Sequence, residues 1–258
     1  MYDYDYDDIV NTLKKVGLQQ GDKIFNHSNL GFFGRLKDAK IEDDYCSTFL
    51  NAIFDIIGNE GTLIVPVFSY SFCWNKIFDK LNTPGICGLF SEYVRKQDIA
   101  KRSDDANFSI ASIGYDSHIF TDNAPVDPFG PDSFWDHLYK LDGKICNFNF
   151  DSGSTFFHYV EKVLDVPYRT DKFFKGISII NGKETLKTFS HYVRDNDNRA
   201  TYPDFETFDF LARKKNLTKF ANLGRGQITS ITLKDTMELI LTQYKNDPNF
   251  LIKGKFQV

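Results

Sequence analysis

The sequence predicts an α/β fold, and three observations support this prediction. Segments whose apolar residues recur at a helical spacing alternate with short, continuously apolar segments, as in a chain of alternating helices and strands. One apolar segment runs into a turn of small residues and then into a helix, which is how α/β folds present groups at the carboxyl edge of a sheet. The sequence has 258 residues without a linker-like stretch or an internal repeat, so we expect one domain over residues 1–258.

The first part of the chain predicts two helix–strand pairs. Residues 7–18 place apolar side chains on one helical face, and Gly17 is the stop signal. The stretch G-D-K-I-F-N-H-S follows as a turn and a short buried strand. Residues 41–57 are the second predicted helix, with Gly58 as its C-cap, and G-T-L-I-V-P-V-F is the strand after it.

Later segments continue the alternation. The predicted elements are, in chain order, a helix over 89–95, an extended segment over 106–114, a helix over 132–141, a strand over 144–150, a turn over 151–155, a helix over 156–164 and a final helix over 233–244. Before the final helix, F-K-G-I-S-I-I-N-G-K-E predicts a β-hairpin closed at Asn181-Gly182, because Asn-Gly favours the tight turn that joins antiparallel strands.

Composition and charge argue against several classes of function. The net charge is −4 and the basic residues form no long block, so a nucleic-acid partner is not expected. The first residues lack the positive start and the apolar stretch of a signal peptide, and no apolar run approaches the roughly 20 residues that span a bilayer. We therefore expect a cytoplasmic protein without a membrane partner.

Cysteine and histidine usage predicts neither disulfides nor a metal. The four cysteines show no C-x-x-C spacing, so in a reducing compartment they are expected to be buried thiols. The five histidines are scattered along the chain and provide no paired zinc ligands.

The stretch S-T-F-F-H-Y-V-E, at residues 154–161, carries the first candidate chemistry. Thr155, His158 and Glu161 are spaced three apart, so a helix places them on one face. A carboxylate beside an imidazole orients the ring and keeps its pKa near neutrality, as a general base requires, and Asp151 is a second candidate for that role. The alternative is a core histidine whose hydrogen bonds are satisfied within the protein.

A second candidate site follows the first predicted strand. His27, Ser28, Asn29 and Leu30 lie where the strand gives way to a turn. In one interpretation Ser28 N-caps a helix whose exposed backbone N–H groups bind an anion. An ordinary cap followed by a turn glycine explains the same residues.

Two further stretches are candidates for a ligand path. Arg102-Ser103 and the later Ser109 combine a guanidinium with hydroxyl groups, a set that suits a phosphate, although a surface arginine and a serine-rich strand are the commoner explanation. In P-V-F-S-Y-S-F-C-W, Phe68 and Tyr70 take alternate positions, as on an aromatic strand edge or in the lining of a ligand slot. The motifs G-x-S-x-G, G-x-x-x-x-G-K-[ST] and G-x-G-x-x-G are absent, which argues against a hydrolase of that kind and against nucleotide-binding loops.

Taken in order, these stretches fit one family pattern. The first motif, G-D-x-x-x-x-H-[ST]-S-L-x-x-x-G, is met by Gly21, Asp22, His27, Ser28, Leu30 and Gly34. The second, G-T-L-x-x-P-x-F-S, is met by Gly61 to Leu63 and Pro66 to Ser69, and the third, G-x-x-x-E-x-x-R, is met by Gly88, Glu92 and Arg95. The fourth is R-S with a serine-rich element after it, met by Arg102, Ser103 and Ser109. The fifth is F-G-x-x-S with L-x-x-L-D-G, met by Phe129, Gly130, Ser133 and Leu138 to Gly143, and the last is T-x-x-H-x-x-E, met by Thr155, His158 and Glu161. On these motifs the chain resembles the aminoglycoside 3-N-acetyltransferase family, the acetyl-CoA-dependent antibiotic N-acetyltransferases, over nearly its whole length.

The resemblance implies a three-layer α/β/α fold with a mixed central sheet, and acetyl-CoA as the co-substrate. It makes His158 the base that deprotonates an acceptor amine, with Glu161 or Glu92 orienting the ring or holding the substrate's ammonium group. Thr155, or a backbone N–H near it, would donate a hydrogen bond to the thioester carbonyl as negative charge develops there. The residues implied for the pantetheine and phosphate path are His27, Ser28, Asn29, Leu30, Phe68, Tyr70, Arg102, Ser103 and Ser109.

Departures from the family pattern concern the acceptor. Asp105-Ala106 stands where the family has His-Pro, Asn29 replaces a common serine, and I-C-N-F-N replaces an apolar strand ending in glycine. The F-F-H-Y-V-E and V-P-Y-R stretches are similar to members associated with surface-glycan biosynthesis. The expected acceptor is therefore a nucleotide-linked amino-deoxysugar, and the alternative is an aminoglycoside. The sequence also leaves open a different acyl donor, a hydroxyl acceptor and a binding protein without catalysis, and it is compatible with a homodimer.

Overall fold

A seven-stranded sheet lies at the centre of the protein. The computed structural model describes residues 2–255. Its strands are β1 (Lys23–Phe25), β2 (Thr62–Pro66), β3 (Phe78–Asp79), β4 (Lys101–Arg102), β5 (Ile110–Gly114), β6 (Lys144–Phe148), β7 (Arg169–Ile180), β8 (Lys183–Arg194), β9 (Lys219–Leu223) and β10 (Gly226–Thr232). Its helices are α1 (Tyr6–Lys15), α2 (Glu42–Ile57), α3 (Leu89–Arg95), α4 (Ser117–Thr121), α5 (Phe134–Lys140), α6 (Phe156–Val163), α7 (Phe205–Lys214) and α8 (Leu233–Tyr244), and 3₁₀ turns cover Leu30–Phe33 and Arg199–Thr201.

The central sheet is mixed, as predicted. Its strands follow the order β4-β5-β2-β1-β6-β10-β9. β1 lies between β2 and β6 and is parallel to both. The pairs β2–β5, β5–β4, β6–β10 and β10–β9 are antiparallel. The parallel strands therefore occupy the middle of the sheet, where helices can cover both faces.

Helices cover the sheet on two sides because neighbouring strand residues face opposite ways. Ile24 is buried in a cluster with apolar residues of α1, α2 and α3. Its neighbour Phe25 is buried in a second cluster with residues of α5, α6, α7 and α8. One side chain on each face of the same strand gives two separate apolar layers. The predicted three-layer α/β/α arrangement is therefore confirmed.

A long hairpin forms most of a second, three-stranded sheet with the order β3-β7-β8. β7 and β8 are antiparallel over their full length, from the Arg169–Arg194 pair to the Ile180–Lys183 pair. Asn181 and Gly182 both have positive φ, 51° and 73°, as a tight hairpin turn requires. The hairpin predicted from Asn-Gly is confirmed, whereas β9, β10, α4 and α7 were not predicted.

Two segments that the sequence predicts as extended form turns instead. β5 begins only at Ile110, because Asp105 Oδ1 accepts the N–H groups of Asn107 (2.7 Å) and Phe108 (2.9 Å) and closes a turn before the strand. The chain also leaves the sheet after β2, and Tyr70 has a φ of 50°. The interpretation of the aromatic stretch around Tyr70 as a strand edge was therefore wrong.

The cysteines are free thiols: Cys46 and Cys146 are buried, and Cys73 and Cys87 are half-buried. Among residues 2–255, no three side chains of His, Cys, Asp or Glu converge as a metal site would require. None of the helices in that range combines the length and the apolar character needed to cross a bilayer.

Candidate active site

His158 lies in α6, which follows β6 after the turn over residues 151–155. Its Nδ1 is 2.7 Å from Glu161 Oε2, almost one helical turn further along the chain. Asp151, the other carboxylate close in sequence, instead accepts the N–H of Gly153 at 2.8 Å. Among the carboxylates considered as partners of the ring, the structure therefore places Glu161 beside His158.

A buried arginine that the motifs did not predict completes the cluster. Arg169, the first residue of β7, has its Nε 2.7 Å from Glu161 Oε2, the oxygen that His158 also contacts. Its Nη1 donates to the carbonyl of Tyr192 at 3.1 Å. Tyr168 is a further neighbour of Glu161. We call His158, Glu161 and Arg169 the His–Glu–Arg cluster.

Burial, together with the charge of Arg169, favours the neutral form of the His158 imidazole. Burial lowers the pKa of His158, and the charge of Arg169 lowers it further, against the raising effect of Glu161. Burial alone would raise the pKa of Glu161, but its contacts with His158 and Arg169 outweigh burial and leave that pKa lowered. An ionised carboxylate only accepts hydrogen bonds, so Nδ1 of His158 carries the ring proton. Nε2 then has a free lone pair, and no partner for it lies within residues 2–255.

Thr155 lies immediately before α6 with an unused hydroxyl. Its backbone is helical, with φ −63° and ψ −9°, and its side chain makes no capping hydrogen bond. Its Oγ1 is buried and has no hydrogen-bond partner in the described part of the chain. Buried hydroxyl groups are normally satisfied, so an exception calls for a ligand, a water or a function. The hydroxyl is thus available to a polar ligand at the start of α6.

Asn147, on β6, ties the turn before α6 to the end of β1. Its Oδ1 accepts the N–H of His27 at 3.2 Å. Its Nδ2 donates to the carbonyls of Asp151 and Gly153 at 2.6 and 3.0 Å. The side chain is fully buried, so these contacts are shielded from water. The asparagine that departs from the family's apolar strand therefore positions the turn from which α6 and His158 begin.

Replacing Asn147 with alanine is expected to lower the free energy of unfolding by about 2–3 kcal/mol, because the His27 N–H and two carbonyls lose their partners. Turnover should fall as well, since α6 loses its fixed starting point. Urea unfolding and kcat, measured on the same preparation, check both effects. Asn222→Ala, on the exposed side of β9, is the matched control. An unchanged urea midpoint for Asn147→Ala would contradict the positioning role.

Ser28 does not cap a helix, so that prediction was wrong. The residue before the 3₁₀ turn is Asn29, and its side chain makes no capping hydrogen bond. The N–H of Asn29 donates to the carbonyl of Phe148 at 2.9 Å, which extends the pairing of β1 with β6. Chain direction at Ser28 is thus set by the sheet, and the anion site expected from a capped helix is not formed.

The other predicted residues of this segment differ in how accessible they are. Leu30 is buried in the core cluster on the α1–α2 side of the sheet. Burial lowers the pKa of His27 to about 4, so its ring is neutral where it packs edge-on against Phe25 at a centroid distance of 4.9 Å. Ser28 Oγ is buried and lacks a partner within residues 2–255, like the hydroxyl of Thr155.

Arg102 forms internal hydrogen bonds and is not available to a phosphate. Its side chain is buried, with 7% of the residue exposed. Nε and Nη2 donate to Ser109 Oγ, Nη2 also donates to the carbonyl of Val67, and Nη1 donates to the carbonyls of Lys80 and Thr83. These contacts use the five N–H donors that a guanidinium has. The structure therefore does not support the phosphate interpretation of Arg102.

The two serines predicted with Arg102 are likewise engaged. Ser103 Oγ accepts the N–H of Ile110 at 3.0 Å. Ser109 Oγ, besides accepting from Arg102, donates to the carbonyl of Val67 at 2.9 Å. These residues hold the antiparallel strands β4 and β5 together, so their polar groups are not free for a ligand.

Glu92 does not contact His158. Both of its carboxylate oxygens accept from Arg95, at 2.8 and 2.9 Å, and Oε1 also accepts the N–H of Gly85 at 2.7 Å. In this structure the motif glutamate therefore makes local contacts around α3, with Arg95 and Gly85. It is not the group that orients the His158 ring.

The fold and the His–Glu–Arg cluster together define a class of protein. A mixed α/β sheet places an imidazole with a free Nε2 lone pair at the start of a helix, next to an unused hydroxyl. Such an arrangement suits an enzyme that removes a proton from a nucleophile.

The particular family follows from comparison with known proteins. The family model described as aminoglycoside 3-N-acetyltransferase matches residues 26–244, which is most of the chain. The chain therefore belongs to the aminoglycoside 3-N-acetyltransferase family and is an N-acetyltransferase. The resemblance recognised from the motifs is confirmed.

Solved structures of this family share the fold. Aminoglycoside acetyltransferase AAC(3)-Xa is 20% identical, with 93% of this chain and 92% of that chain covered and a TM-score of 0.79. AAC-IIIb, in a binary complex with CoASH, is 18% identical with 97% and 98% covered and a TM-score of 0.78. AAC-VIa bound to sisomicin is 19% identical with 94% and 98% covered and a TM-score of 0.77. A search of curated protein sequences found no match to this chain.

Proposed function

We propose that the protein transfers the acetyl group of acetyl-CoA to the amine of an amino sugar, and that this sugar is linked to a nucleotide. The observation that carries the transfer step is the buried hydrogen bond between His158 Nδ1 and Glu161, which leaves Nε2 free to accept a proton. Family membership supports an N-acetyltransferase, and a structural relative is a complex with CoASH.

In this mechanism His158 is the general base. An ammonium ion has no lone pair, so the acceptor reacts as the neutral amine. A bond forms between the amine nitrogen and the acetyl carbonyl carbon as the carbon–sulfur bond breaks. The proton that the nitrogen loses moves to His158 Nε2 and then to the departing sulfur, so the products are an amide and the CoA thiol. Glu161, 2.7 Å from Nδ1, stabilises the imidazolium that exists in between.

The unused hydroxyls support the placement of the thioester and the pantetheine. Thr155 Oγ1 would donate a hydrogen bond to the carbonyl oxygen as negative charge develops there. Ser28 Oγ offers a second polar contact at the end of β1. The proposed pantetheine path therefore keeps the segment His27 to Leu30 together with Phe68 and Tyr70. It leaves out Arg102, Ser103 and Ser109, whose polar groups already have partners.

An aminoglycoside is the second candidate acceptor. The family takes its name from that reaction, and one structural relative is bound to sisomicin. An aminoglycoside is a polycation, whereas a nucleotide-linked sugar carries phosphates. The two candidates therefore make opposite demands on the charges that surround His158.

A thiol-release assay with acetyl-CoA distinguishes the two acceptors. One panel contains nucleotide-linked amino-deoxysugars and the other contains aminoglycosides. We expect thiol release with the first panel and little above background with the second. Turnover with aminoglycosides alone would replace the proposed acceptor by the second candidate. No thiol release with either panel, while CoA still binds, would overturn acetyl transfer to amino sugars.

The pKa of the His158 ring tests its assignment as the base. Burial and the charge of Arg169 lower the pKa of His158, and a lower pKa keeps the imidazole neutral in more acidic solution. The ring should therefore titrate below the ordinary imidazole value of about 6.5. An NMR pH titration of the histidine ring protons measures it, with His158→Asn to assign the signal, because the rate profile also contains the titration of the acceptor amine. A ring pKa above about 6.5 would contradict the assignment.

A further inference from the structure

A second imidazole lies on the hairpin, within the aromatic cluster that contains His158. His191, on β8, has its ring 4.6 Å from the ring of Phe108 and edge-on to it. Phe108 packs against Phe129 at 5.1 Å, and Phe129 packs against His158 at 5.3 Å. Tyr70 also stacks on His191, at a centroid distance of 5.8 Å. The two histidines are thus joined by two phenylalanine rings, and neither the motifs nor the proposed mechanism uses the second one.

His191 is a neutral hydrogen-bond donor. Its Nδ1 is 3.6 Å from the thiol of Cys73. Burial raises the pKa of Cys73 to about 11 and lowers that of His191 to about 4, so both groups are neutral. A neutral thiol can donate to Nδ1, and in that tautomer the ring proton of His191 is on Nε2, the form that an anion at Nε2 selects. Within residues 2–255 no acceptor for this Nε2–H is present, so it is available to a ligand.

Lys172 lies directly opposite His191 in the hairpin. The two residues are register partners on β7 and β8, so their side chains leave the same face of the pair. Lys172 is exposed and has no acidic partner among residues 2–255, and its Nζ lies over the ring of Phe174, 5.2 Å from the centroid. Side chains alternate along a strand, so Lys172 leaves the face of the hairpin opposite to that of Arg169 and shares the face of His191. A free cation and a neutral donor thus stand together on the hairpin face that the rings of Phe108 and Phe129 connect to His158.

Most carboxylates around this part of the hairpin already have a cationic partner. Glu161 pairs with Arg169, Asp104 pairs with Lys80 and Lys187, and Asp127 and Asp171 share Lys162. Asp105 is buried, and burial raises its pKa to about 6. A polycation would have to compete with these cations for the surface carboxylates, whereas an anion would find an unpaired ammonium.

From this geometry we infer that Lys172 and His191 bind a phosphate of the acceptor substrate, with Lys172 supplying the charge and His191 Nε2–H a hydrogen bond. The inference rests on the proposed function and deepens it, because it assigns the phosphate of a nucleotide-linked sugar to the hairpin. The phosphates of CoA have the same chemistry, and Tyr70 of the proposed pantetheine path stacks on the His191 ring. Lys172 has no place in that path, so we assign the phosphate site to the acceptor, and the experiment separates the two sources.

Binding of UDP, dTDP and CoA to the full-length protein, measured by calorimetry, tests this assignment without requiring turnover. Lys172→Met keeps the aliphatic stem, and His191→Phe keeps the ring contacts while removing both nitrogens. Each change should raise the Kd of whichever nucleoside diphosphate binds the wild type by about tenfold, and it should leave the Kd of CoA unchanged. Lys175→Met is the matched control, since Lys175 is also exposed on β7 but leaves the opposite face.

Three results would overturn the inference. The first is that neither nucleoside diphosphate binds the wild type. The second is that Lys175→Met and Lys172→Met weaken nucleoside diphosphate binding equally, and the third is that Lys172→Met or His191→Phe weakens CoA binding and leaves nucleoside diphosphate binding unchanged. Failure of the proposed function looks different. In that case no amino sugar is acetylated, while nucleoside diphosphate binding still depends on Lys172 and His191, which supports the phosphate site alone.

Discussion

Replacing His158 with asparagine is expected to lower kcat by about 10²–10⁴-fold, the usual contribution of a general base. Asparagine keeps a polar side chain at the start of α6 but cannot take a proton from the amine. The Kd of CoA should not change, because the proposed CoA contacts come from other residues. Thiol release and calorimetric CoA titration on the same preparation measure the two quantities.

The control for His158→Asn is the same change at His118, which is exposed on α4 and should leave kcat unaltered. Added imidazole provides a second readout with His158→Ala, since a small base can enter the vacated space and restore part of the rate. Turnover close to that of the wild type in His158→Asn would exclude His158 as the base. A loss of CoA binding equal to the loss in kcat would instead indicate a structural role.

His158 and Glu161 were predictable because they lie on one helix, where a spacing of three residues brings side chains together. Their distance of 2.7 Å follows from helix geometry once the helix is recognised. Arg169 was not predictable in this way, since it reaches Glu161 from a different element. Its signals in the sequence are its place at the end of the V-P-Y-R stretch and at the start of a strand, and neither of them indicates a contact with Glu161.

The layers of the fold were predictable for a similar reason. Hydrophobic periodicity is a local property, and it locates α1, α2, α6 and α8 without knowledge of their partners. The order of strands in the sheet depends on contacts between distant segments: β10 pairs with β6 although β7, β8, α7 and β9 lie between them along the chain. Pairing of that kind leaves only a weak local pattern, so β9 and β10 were missed.

Asp105 and Asn147 show that a departure from a family motif is not by itself a specificity signal. Asp105 was expected to concern the acceptor, yet its Oδ1 closes the turn before β5. Asn147 likewise has a positioning role, through three hydrogen bonds that fix the turn before α6. Buried polar residues that replace a family pattern can thus preserve the geometry of a site by different contacts. The acceptor differences are better sought on the hairpin, at Lys172 and His191.

Arg102 illustrates the limit of reading a motif as a binding site. An arginine followed by serines suits a phosphate on composition alone. The partners that decide its role are the carbonyls of Val67, Lys80 and Thr83, and these come from segments that local sequence does not connect with β4. The guanidinium joins the end of β2 to the loop after β3, which is a stabilising function.

Replacing Arg102 with methionine should therefore lower the free energy of unfolding by roughly 3–4 kcal/mol, because five hydrogen bonds are lost and the carbonyls of Lys80 and Thr83 are left without a donor. Methionine retains most of the apolar volume, so the loss reports the hydrogen bonds and not a large cavity. In the fraction that stays folded, the KM for acetyl-CoA should be unchanged. Urea unfolding and steady-state kinetics below the transition measure the two effects.

Lys101→Met is the matched control for Arg102→Met, since Lys101 is the exposed neighbour on β4, and both residues line one cavity of about 500 Å³. Its urea midpoint should equal that of the wild type. If Arg102→Met were as stable as the wild type and instead raised the KM for acetyl-CoA, Arg102 would be a phosphate ligand after all. That outcome would require the guanidinium to leave its carbonyl partners when CoA binds, whereas the closed set of five donors favours a residue that stays in place.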